Sequence, residues 1–426
     1  NEAAPDGTAA AAPPAAGAPP EAGAAPPKGN SAARQRRLSY LGAGVDGEEK
    51  PDLVVDSNTR ARQRRLSFLA SKEALQQYEG ERELEELLGS QAGAEADKDG
   101  KEPVLLTLCA YLSKAGQEPG YKKTNQDNCF VHVNFGSAHR HLVGCLDGHG
   151  PNGHLVSRAA KRLLPLSVAA HPELSSDVPA AMRGAFEAAH REVTSSGVDC
   201  EFSGSTAVVT YITGSTLWCA WVGDSRAVLG REAGGTMETV DLSVDHKPEL
   251  PAERDRILGS SGRVDRLVDE GGEHVGPHRV WLQHAWIPGL AMSRALGDML
   301  AHRVGVTHVP EVARHELTPQ DRFLILASDG LWEFVDSAEA VAVAASCNTP
   351  EEAVKALVEM AHERWVVEED GVVDDITVVV VALSHAEPSA EGTPAREEGK
   401  PEAAPAEAAE EGAAEPAGPR PDALTL

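Results

Sequence analysis

Aspartates stand at the ends of four apolar runs in this sequence. HLVGCL ends in Asp147, LWCAWVG in Asp224 and FLILAS in Asp329, while Asp374 and Asp375 directly precede ITVVVVAL. A single aspartate at a strand end is most often a turn former or a helix cap. Several carboxylates that converge from rigid strand ends, however, make the oxygen-rich site that Mg²⁺ and Mn²⁺ prefer. The four positions together therefore favour a metal site.

The apolar runs have the composition of β-strands, because they are rich in β-branched residues and bounded by Gly, Asp or Asn. We predict strands at 128–135, 141–146, 206–213, 217–223, 323–328 and 376–383. We predict helices at 153–169, 178–195, 337–346 and 350–365. The last of these starts with an N-cap at Thr349 and a proline at Pro350. Hairpin-like strand pairs with separate helix pairs indicate a layered α+β domain rather than a βαβ repeat.

Composition divides the chain of 426 residues into four parts. Residues 1–70 are an Ala/Pro-rich tail, 71–102 a linker with a helical pattern, 103–384 one folded domain and 385–426 an acidic tail. Both tails lack the apolar surface needed to offset the entropy cost of ordering, so we expect them to be disordered.

A short repeat lies in the N-terminal tail. ARQRRLSYL (33–41) recurs as ARQRRLSFL (61–69), which places Ser39 and Ser67 directly after Arg-Arg-Leu. Arg-Arg-x-Ser resembles the target of a basophilic kinase, such as the cyclic-AMP-dependent kinase, which would then be a partner acting at both serines. Two other interpretations stay open, a basic docking motif with apolar anchors and a plain basic linker.

The formal net charge of −27 argues against broad binding to nucleic acid or anionic membranes. No apolar run reaches transmembrane length. The six cysteines show no C-x-x-C spacing and several lie in apolar runs, so we expect buried free thiols in a reducing compartment. The cytoplasm is the expected location, with the nucleus also open. Because the chain begins with Asn rather than Met, a removed targeting peptide stays open as well.

Eight short motifs follow one another in an order and with a spacing typical of one enzyme family. They are Asn125-Gln126-Asp127, Asp147-Gly148-His149-Gly150, Gly204-Ser205-Thr206-Ala207, Val222-Gly223-Asp224-Ser225-Arg226, Asp245-His246-Lys247-Pro248, Ser293-Arg294-Ala295-Leu296-Gly297-Asp298, Ser328-Asp329-Gly330-Leu331-Trp332-Glu333 and Asp374-Asp375-Ile376-Thr377. Over roughly residues 103–384 the chain therefore resembles the protein phosphatase 2C family, the metal-dependent protein phosphatases. The resemblance implies a four-layer αββα sandwich, two antiparallel sheets flanked by helix pairs, with a metal site at one end of the sheets.

The resemblance also implies a metal-binding role for each strand-end aspartate. Asp147 looks like the carboxylate that bridges two Mg²⁺ or Mn²⁺ ions, and the backbone carbonyl of Gly148 would bind the first of them. Asp329 and Asp374 would complete the second. Asp224 resembles the ligand of a third, weaker ion, shared with Asp329.

Three further residues match positions that act on water and phosphate in this family. Asp127 would hydrogen-bond metal-bound waters, and His149 is the candidate general acid for the leaving alkoxide. The family's phosphate-binding arginine falls near Lys122 or Lys123, and the spacing to Asp127 selects Lys122.

Three positions depart from the family pattern. Gln126 stands where an acidic residue is frequent, although the same Asn-Gln-Asp form also looks common among plant and protist members. Lysine replaces the phosphate-binding arginine, which removes the bidentate fork of the guanidinium. Asp375 replaces an asparagine and adds an acid beside the site.

Other polar residues have structural interpretations. We expect Arg226 and Arg294 to pair with buried acids rather than to bind phosphate, because arginine is rarely buried unpaired. The segment 249–290 resembles the variable region after the substrate flap, and it is either a substrate contact or a plain surface loop.

Two functions from different classes are compatible with these residues. The first is an active serine/threonine protein phosphatase, expected to be a monomer, that cleaves phosphorylated protein substrates by attack of a hydroxide bridging two metal ions. The second is a catalytically inactive phosphoprotein-binding scaffold of the same fold. A scaffold would be expected to lose aspartates of the metal site, and since all four are present the sequence favours the enzyme.

Overall fold

A computed structural model of the chain describes residue 84 and residues 104–137, 139–269 and 271–385. The predicted tails and the RQRRLS repeats lie outside the described residues. So does the linker 71–102 apart from Leu84, which is helical and buried in an apolar cluster of the folded domain. The linker therefore contributes at least this one side chain to the core.

Ten strands build two five-stranded sheets in which all neighbouring strands are antiparallel. The first sheet consists, in spatial order, of β1 (Val104–Lys114), β18 (Ile376–His385), β17 (Asp321–Ala327), β10 (Arg226–Ala233) and β11 (Thr236–Asp241). The second consists of β16 (Glu311–Glu316), β9 (Thr216–Val222), β8 (Ala207–Thr213), β5 (Arg140–Leu146) and β4 (Asn128–His132).

Three smaller sheets lie at the edges of this framework. They comprise β2 (Gln117–Glu118) with β3 (Tyr121–Lys122); β12 (Gly262–Val268), β13 (His274–Leu282) and β14 (Pro288–Leu290); and β6 (Gly148–His149), β7 (Gly204–Ser205) and β15 (Leu296–Gly297). The helices are α1 (Gly153–Ala170), α2 (Val178–Ser195), α3 (Pro251–Gly259), α4 (Met299–His302), α5 (Asp329–Trp332), α6 (Ser337–Ser346) and α7 (Pro350–Glu368).

The two large sheets face each other, and each carries a helix pair on its outer face. Leu324 and Leu326 of β17 pack between the sheets, whereas Phe323, Ile325 and Ala327 of the same strand pack against α6 and α7. The second sheet packs its outer face against α1 and α2 in the same way. Because successive side chains point to opposite faces of a strand, a strand buried on both sides must be apolar throughout. The predicted four-layer αββα sandwich is confirmed.

All six predicted strands and all four predicted helices are present, with small differences in length. The strand predicted over 128–135 ends at His132, because Asn134 adopts a left-handed backbone with φ of 61° in the following turn. The helix predicted to end at 365 continues to Glu368, and Thr349 caps its first turn by accepting from the N–H of Glu352. Strands with mixed polar patterns, such as β11 and β12, were not predicted from the sequence.

The prediction of buried thiols holds for four of the six cysteines and is wrong for the others. All six are free thiols, but Cys109 is exposed and Cys347 is only half-buried. Cys109 lies on β1, an edge strand of the first sheet, where a side chain can face solvent. None of the described helices combines the length and the hydropathy that a membrane-spanning helix needs.

Candidate active site

The four strand-end aspartates meet at one end of the sandwich. Asp147 follows β5 and Asp224 lies two residues after β9 in the second sheet, whereas Asp329 follows β17 and Asp374 precedes β18 in the first. All four line one cavity of about 830 Å³. The sandwich thus brings together carboxylates that the chain separates by more than two hundred residues.

The carboxylates are close enough to perturb one another. Burial raises the pKa of Asp147 well above its usual range, and the charges of Asp127, Asp329, Asp374 and Asp224 raise it further. Like charges held together in a partly dry cleft destabilise each other's ionised forms. A divalent cation among them would remove that repulsion.

Asp127 is a buried acid, 6% exposed, close enough to Asp147 to raise its pKa. Its Oδ2 accepts from the hydroxyl of Ser328 at 2.7 Å, while its Oδ1 is buried and has no hydrogen-bond partner among the described residues. Burial is the main cause that raises the pKa of this carboxyl to about 8, with Asp375 contributing. A buried oxygen of this kind is expected to have a partner such as a water molecule.

These residues fit a hard divalent cation. The donor set consists of carboxylates without a thiol, which is the chemistry of Mg²⁺ and Mn²⁺ sites. Gly148 lies where the chain is packed against backbone, since a Cβ there would sit 2.6 Å from the carbonyl oxygen of Gln126. Only a glycine allows this close approach, which is why the motif after Asp147 needs it.

Two lysines place ammonium groups among the acids. Lys123 Nζ lies 2.7 Å from Asp374 Oδ1, and Lys247 Nζ lies 2.6 Å from Asp224 Oδ2. Burial alone would lower the pKa of each ammonium, but the adjacent aspartates raise both above the usual range. The side chain of Lys122, in β3, lies outside the described residues, so Lys123 is the lysine of this pair that the structure describes in the cleft. The contact of Lys247 with Asp224 was not predicted from the sequence.

His149 is held by an aspartate that sequence reasoning missed. Its Nε2 lies 2.7 Å from Asp298 Oδ2, and its Nδ1 is buried without a hydrogen-bond partner among the described residues. Burial would lower the pKa of His149, but Asp298 raises it above the ordinary value. The small sheet of β6, β7 and β15 creates this pair, and a side chain at Gly204 would collide with Asp298 Oδ2. Asp298 ends the Ser-Arg-Ala-Leu-Gly-Asp motif, which was recognised in the sequence without a role for its aspartate.

Asp375, the additional acid in the Asp374-Asp375 pair, forms hydrogen bonds with the backbone of two loops. Its Oδ1 accepts from the N–H of Gly116 at 2.6 Å, and its Oδ2 accepts from the N–H of Gln126 at 2.8 Å. The side-chain amide of Gln126 donates a hydrogen bond to the backbone carbonyl of Gly150 at 3.1 Å. Asp375 and Gln126, two of the three positions that depart from the family pattern, therefore fix the backbone around the cleft.

Both arginines pair with acids as predicted, but only Glu253 is buried, whereas Asp245 is half-buried. Arg226 donates to both carboxylate oxygens of Asp245, at 2.9 and 2.8 Å, and Arg294 lies 2.7 Å from the buried Glu253. The segment 249–290 supplies one wall of the cleft, since Arg266 and other residues of β12–β14 and their connections line the cavity.

Comparisons with known proteins identify the family of this chain. A model of the protein phosphatase 2C family matches residues 111–369. The chain is similar to the rice (Oryza sativa subsp. japonica) "Probable protein phosphatase 2C 64", with 42% identity over 277 residues, which are 62% of this chain and 64% of the rice protein. It is also similar to the Arabidopsis thaliana "Probable protein phosphatase 2C 73", with 36% identity over 302 residues, 65% of this chain and 79% of that protein. The match thus covers just under two thirds of the rice relative's length.

Two solved structures share the fold. The "serine-threonine phosphatase 2C from Toxoplasma gondii" superposes with a TM-score of 0.56 at 22% identity, covering 67% of this chain and 98% of that one. A "C.elegans sex determining protein" superposes with a TM-score of 0.52 at 21% identity, covering 79% and 76%. At these identities the likeness concerns the fold alone. Because the family model matches more than half of its residues, the chain belongs to the protein phosphatase 2C family.

Proposed function

We propose that this chain is an active metal-dependent phosphatase that hydrolyses phosphoserine and phosphothreonine in proteins. What supports the proposal is the convergence of Asp147, Asp224, Asp329 and Asp374 from both sheets into one cleft. An inactive scaffold would have no need to keep four mutually repelling carboxylates together. The family and the names of the related proteins point the same way.

Mg²⁺ or Mn²⁺ would be held by Asp147, the carbonyl of Gly148, Asp329 and Asp374, with Asp224 and Asp329 available to a third ion. When bound, such cations lower the pKa of water and neutralise charge on phosphoryl oxygens. The protein's own part begins with Asp127, whose Oδ1 can accept a hydrogen bond from the attacking water and so orient it.

The substrate phosphate meets cationic side chains as well as acids. Lys123 and Lys247 line the cavity with their ammonium groups, which can neutralise phosphoryl oxygens that approach Asp374 and Asp224. Arg266 lines the same cavity, and the wall that contains it is suited to contact the peptide on either side of the phosphorylated residue.

His149 is suited to donate a proton to the leaving group. Because Nε2 is paired with Asp298, Nδ1 is the nitrogen that remains to face a substrate. A serine or threonine alkoxide is a poor leaving group, and a positioned acid typically contributes about 10²–10⁴-fold to such a step. The pair therefore favours alkyl phosphate substrates.

The test is turnover of matched peptides that carry phosphoserine, phosphothreonine or phosphotyrosine, before and after metal removal. We expect EDTA to abolish turnover, excess Mn²⁺ or Mg²⁺ to restore it, and the two alkyl phosphates to be preferred. Asp329→Asn should be inactive, whereas Asp241→Asn, an exposed aspartate on β11, should match the wild type. Full turnover in the metal-stripped sample would contradict the proposal.

A further inference from the structure

Three histidines form a second cluster of titratable groups, outside the carboxylate cleft. His190 lies on α2, His302 ends α4, and His308 follows six residues later. Each offers a ring nitrogen, and these nitrogens all lie within 4.8 Å of one another. The ring of His190 stacks on those of His308 and His302, with centroids 4.1 and 4.6 Å apart. No step of the proposed reaction uses them.

Two of the three rings have a nitrogen that can offer a lone pair to a metal ion. His302 Nε2 lies 3.2 Å from the carbonyl oxygen of Ala295, which can only accept, so Nε2 carries the proton and Nδ1 keeps its lone pair. This is how metal-binding histidines are commonly held, with the second nitrogen donating to a carbonyl. His308 Nδ1 is buried and has no hydrogen-bond partner among the described residues.

His190 is held in a different tautomer. Its Nδ1 accepts from the N–H of Gly297 at 3.2 Å, so in the neutral ring the proton sits on Nε2. Burial is the main cause that lowers the pKa of His190 to about 3, and the two neighbouring rings lower it further. Burial lowers the pKa of His302 and His308 as well. All three rings are thus neutral at pH 7, the form that binds metal ions.

We propose that His190, His302 and His308 form a binding site for a divalent transition-metal ion of the zinc class. Imidazole nitrogen suits such ions, whereas the carboxylate cleft suits Mg²⁺ and Mn²⁺, so the two sites select different cations. Glu187 lies one turn before His190 on α2 and is close enough to raise the pKa of His308, so it adds negative charge at the site.

Binding requires the rings to turn. A metal ion lies in the plane of each imidazole that binds it, and stacked planes do not meet at a common point. His302 and His308 are only half-buried and bring their Nδ1 atoms to the ion by rotation about their side-chain bonds. His190 binds the ion through Nε2. The proton of Nε2 therefore moves to Nδ1, where it points at the N–H of Gly297.

Occupancy of this histidine site is therefore coupled to the cleft. The hydrogen bond from Gly297 to His190 is lost when the proton moves, and Gly297 directly precedes Asp298, the partner of His149. His302 contacts the same segment through Ala295. The ion should lower turnover without competing for the carboxylates, a consequence that rests on the proposed function.

Binding is tested by spectroscopy, which needs no phosphatase activity. The metal-stripped full chain is supplied with excess Mg²⁺, which has no visible spectrum, and titrated with Co²⁺. Nitrogen ligation of Co²⁺ in a site of low coordination number gives intense visible bands, whereas an octahedral oxygen site gives weak ones. We expect the intense bands in the wild type and in His139→Gln, an exposed control, and not in His308→Gln.

Zn²⁺ should bleach the Co²⁺ bands. Competition with a chromogenic zinc indicator should show affinity at least about tenfold lower in His308→Gln, since even outer-shell changes cost 10–100-fold. Circular dichroism melts check folding, and His302→Gln serves as a second variant. If both variants had the same Co²⁺ spectra and the same zinc affinity as the wild type, the proposed histidine site would be refuted. Zinc binding that leaves small-ester turnover unchanged would refute the coupling.

Discussion

The pairing of His149 with Asp298 makes a prediction that separates proton donation from the rest of the chemistry. Asp298 is only 4% exposed, and its Oδ2 lies 2.7 Å from His149 Nε2. Asp298→Asn keeps the shape and leaves an oxygen that can accept from Nε2–H. It removes the negative charge that stabilises the doubly protonated ring. A neutral ring with its proton on Nε2 has none on Nδ1 to give to the leaving group.

The magnitude follows from the change in the kind of hydrogen bond. A hydrogen bond to a charged group contributes about 1.5–3 kcal/mol and a neutral one about 0.5–1.5 kcal/mol, so the substitution costs the imidazolium about 1–2 kcal/mol. At about 1.36 kcal/mol per tenfold change, turnover of a phosphoserine peptide should fall about five- to thirtyfold. His149→Ala removes the acid entirely and should cost about 10²–10⁴-fold.

The assay compares a phosphoserine peptide with an aryl phosphate under saturating Mn²⁺. An aryl oxide leaves without a proton, so both variants should lose much less activity on the aryl phosphate than on the peptide. Thermal unfolding would verify that Asp298→Asn remains folded. An equal loss of kcat on the two substrates would refute the role of the pair in proton donation and would indicate a structural role instead.

Three further predictions concern other parts of the chain. Asp329→Asn should lower kcat by several orders of magnitude and Gln126→Ala by much less, because only the former removes a proposed metal ligand; the reverse order in steady-state kinetics would show that the site is misassigned. Glu253→Gln should destabilise the domain by about 1.5–3 kcal/mol at pH 7, because it removes the carboxylate that Arg256 and Arg294 share and leaves Arg294 only Glu311 among the described acids. Burial would raise the pKa of Glu253, but its arginine contacts hold the folded-state pKa well below the usual range. The difference in the free energy of unfolding between wild type and variant should therefore be fully present above about pH 4.5 and shrink as pH falls further, as urea melts would reveal. Ser39 and Ser67 should accept phosphate from a basophilic kinase and change the partners recovered, not small-ester turnover; a Ser39→Ala, Ser67→Ala variant that incorporates as much phosphate as the wild type would contradict this.

The apolar patterns were sufficient to predict the sandwich and its acids. Runs such as 323–327 and 378–383 are apolar at every position because both faces of their strands are covered, and this signal is local. The aspartates at their ends could be recognised for the same reason, since a strand end is visible in the sequence. Strands with one polar face, such as β11, gave no comparable signal.

Only the tertiary structure decided which polar side chains meet. His149 and Asp298 are 149 positions apart, and Lys123 and Asp374 are 251 apart. No local periodicity encodes such a pair, because its geometry depends on how sheets and loops pack together. The histidine cluster has the same origin: His190 and His302 look ordinary in the sequence, and they stack because α2 and α4 pack against the segment that carries Asp298.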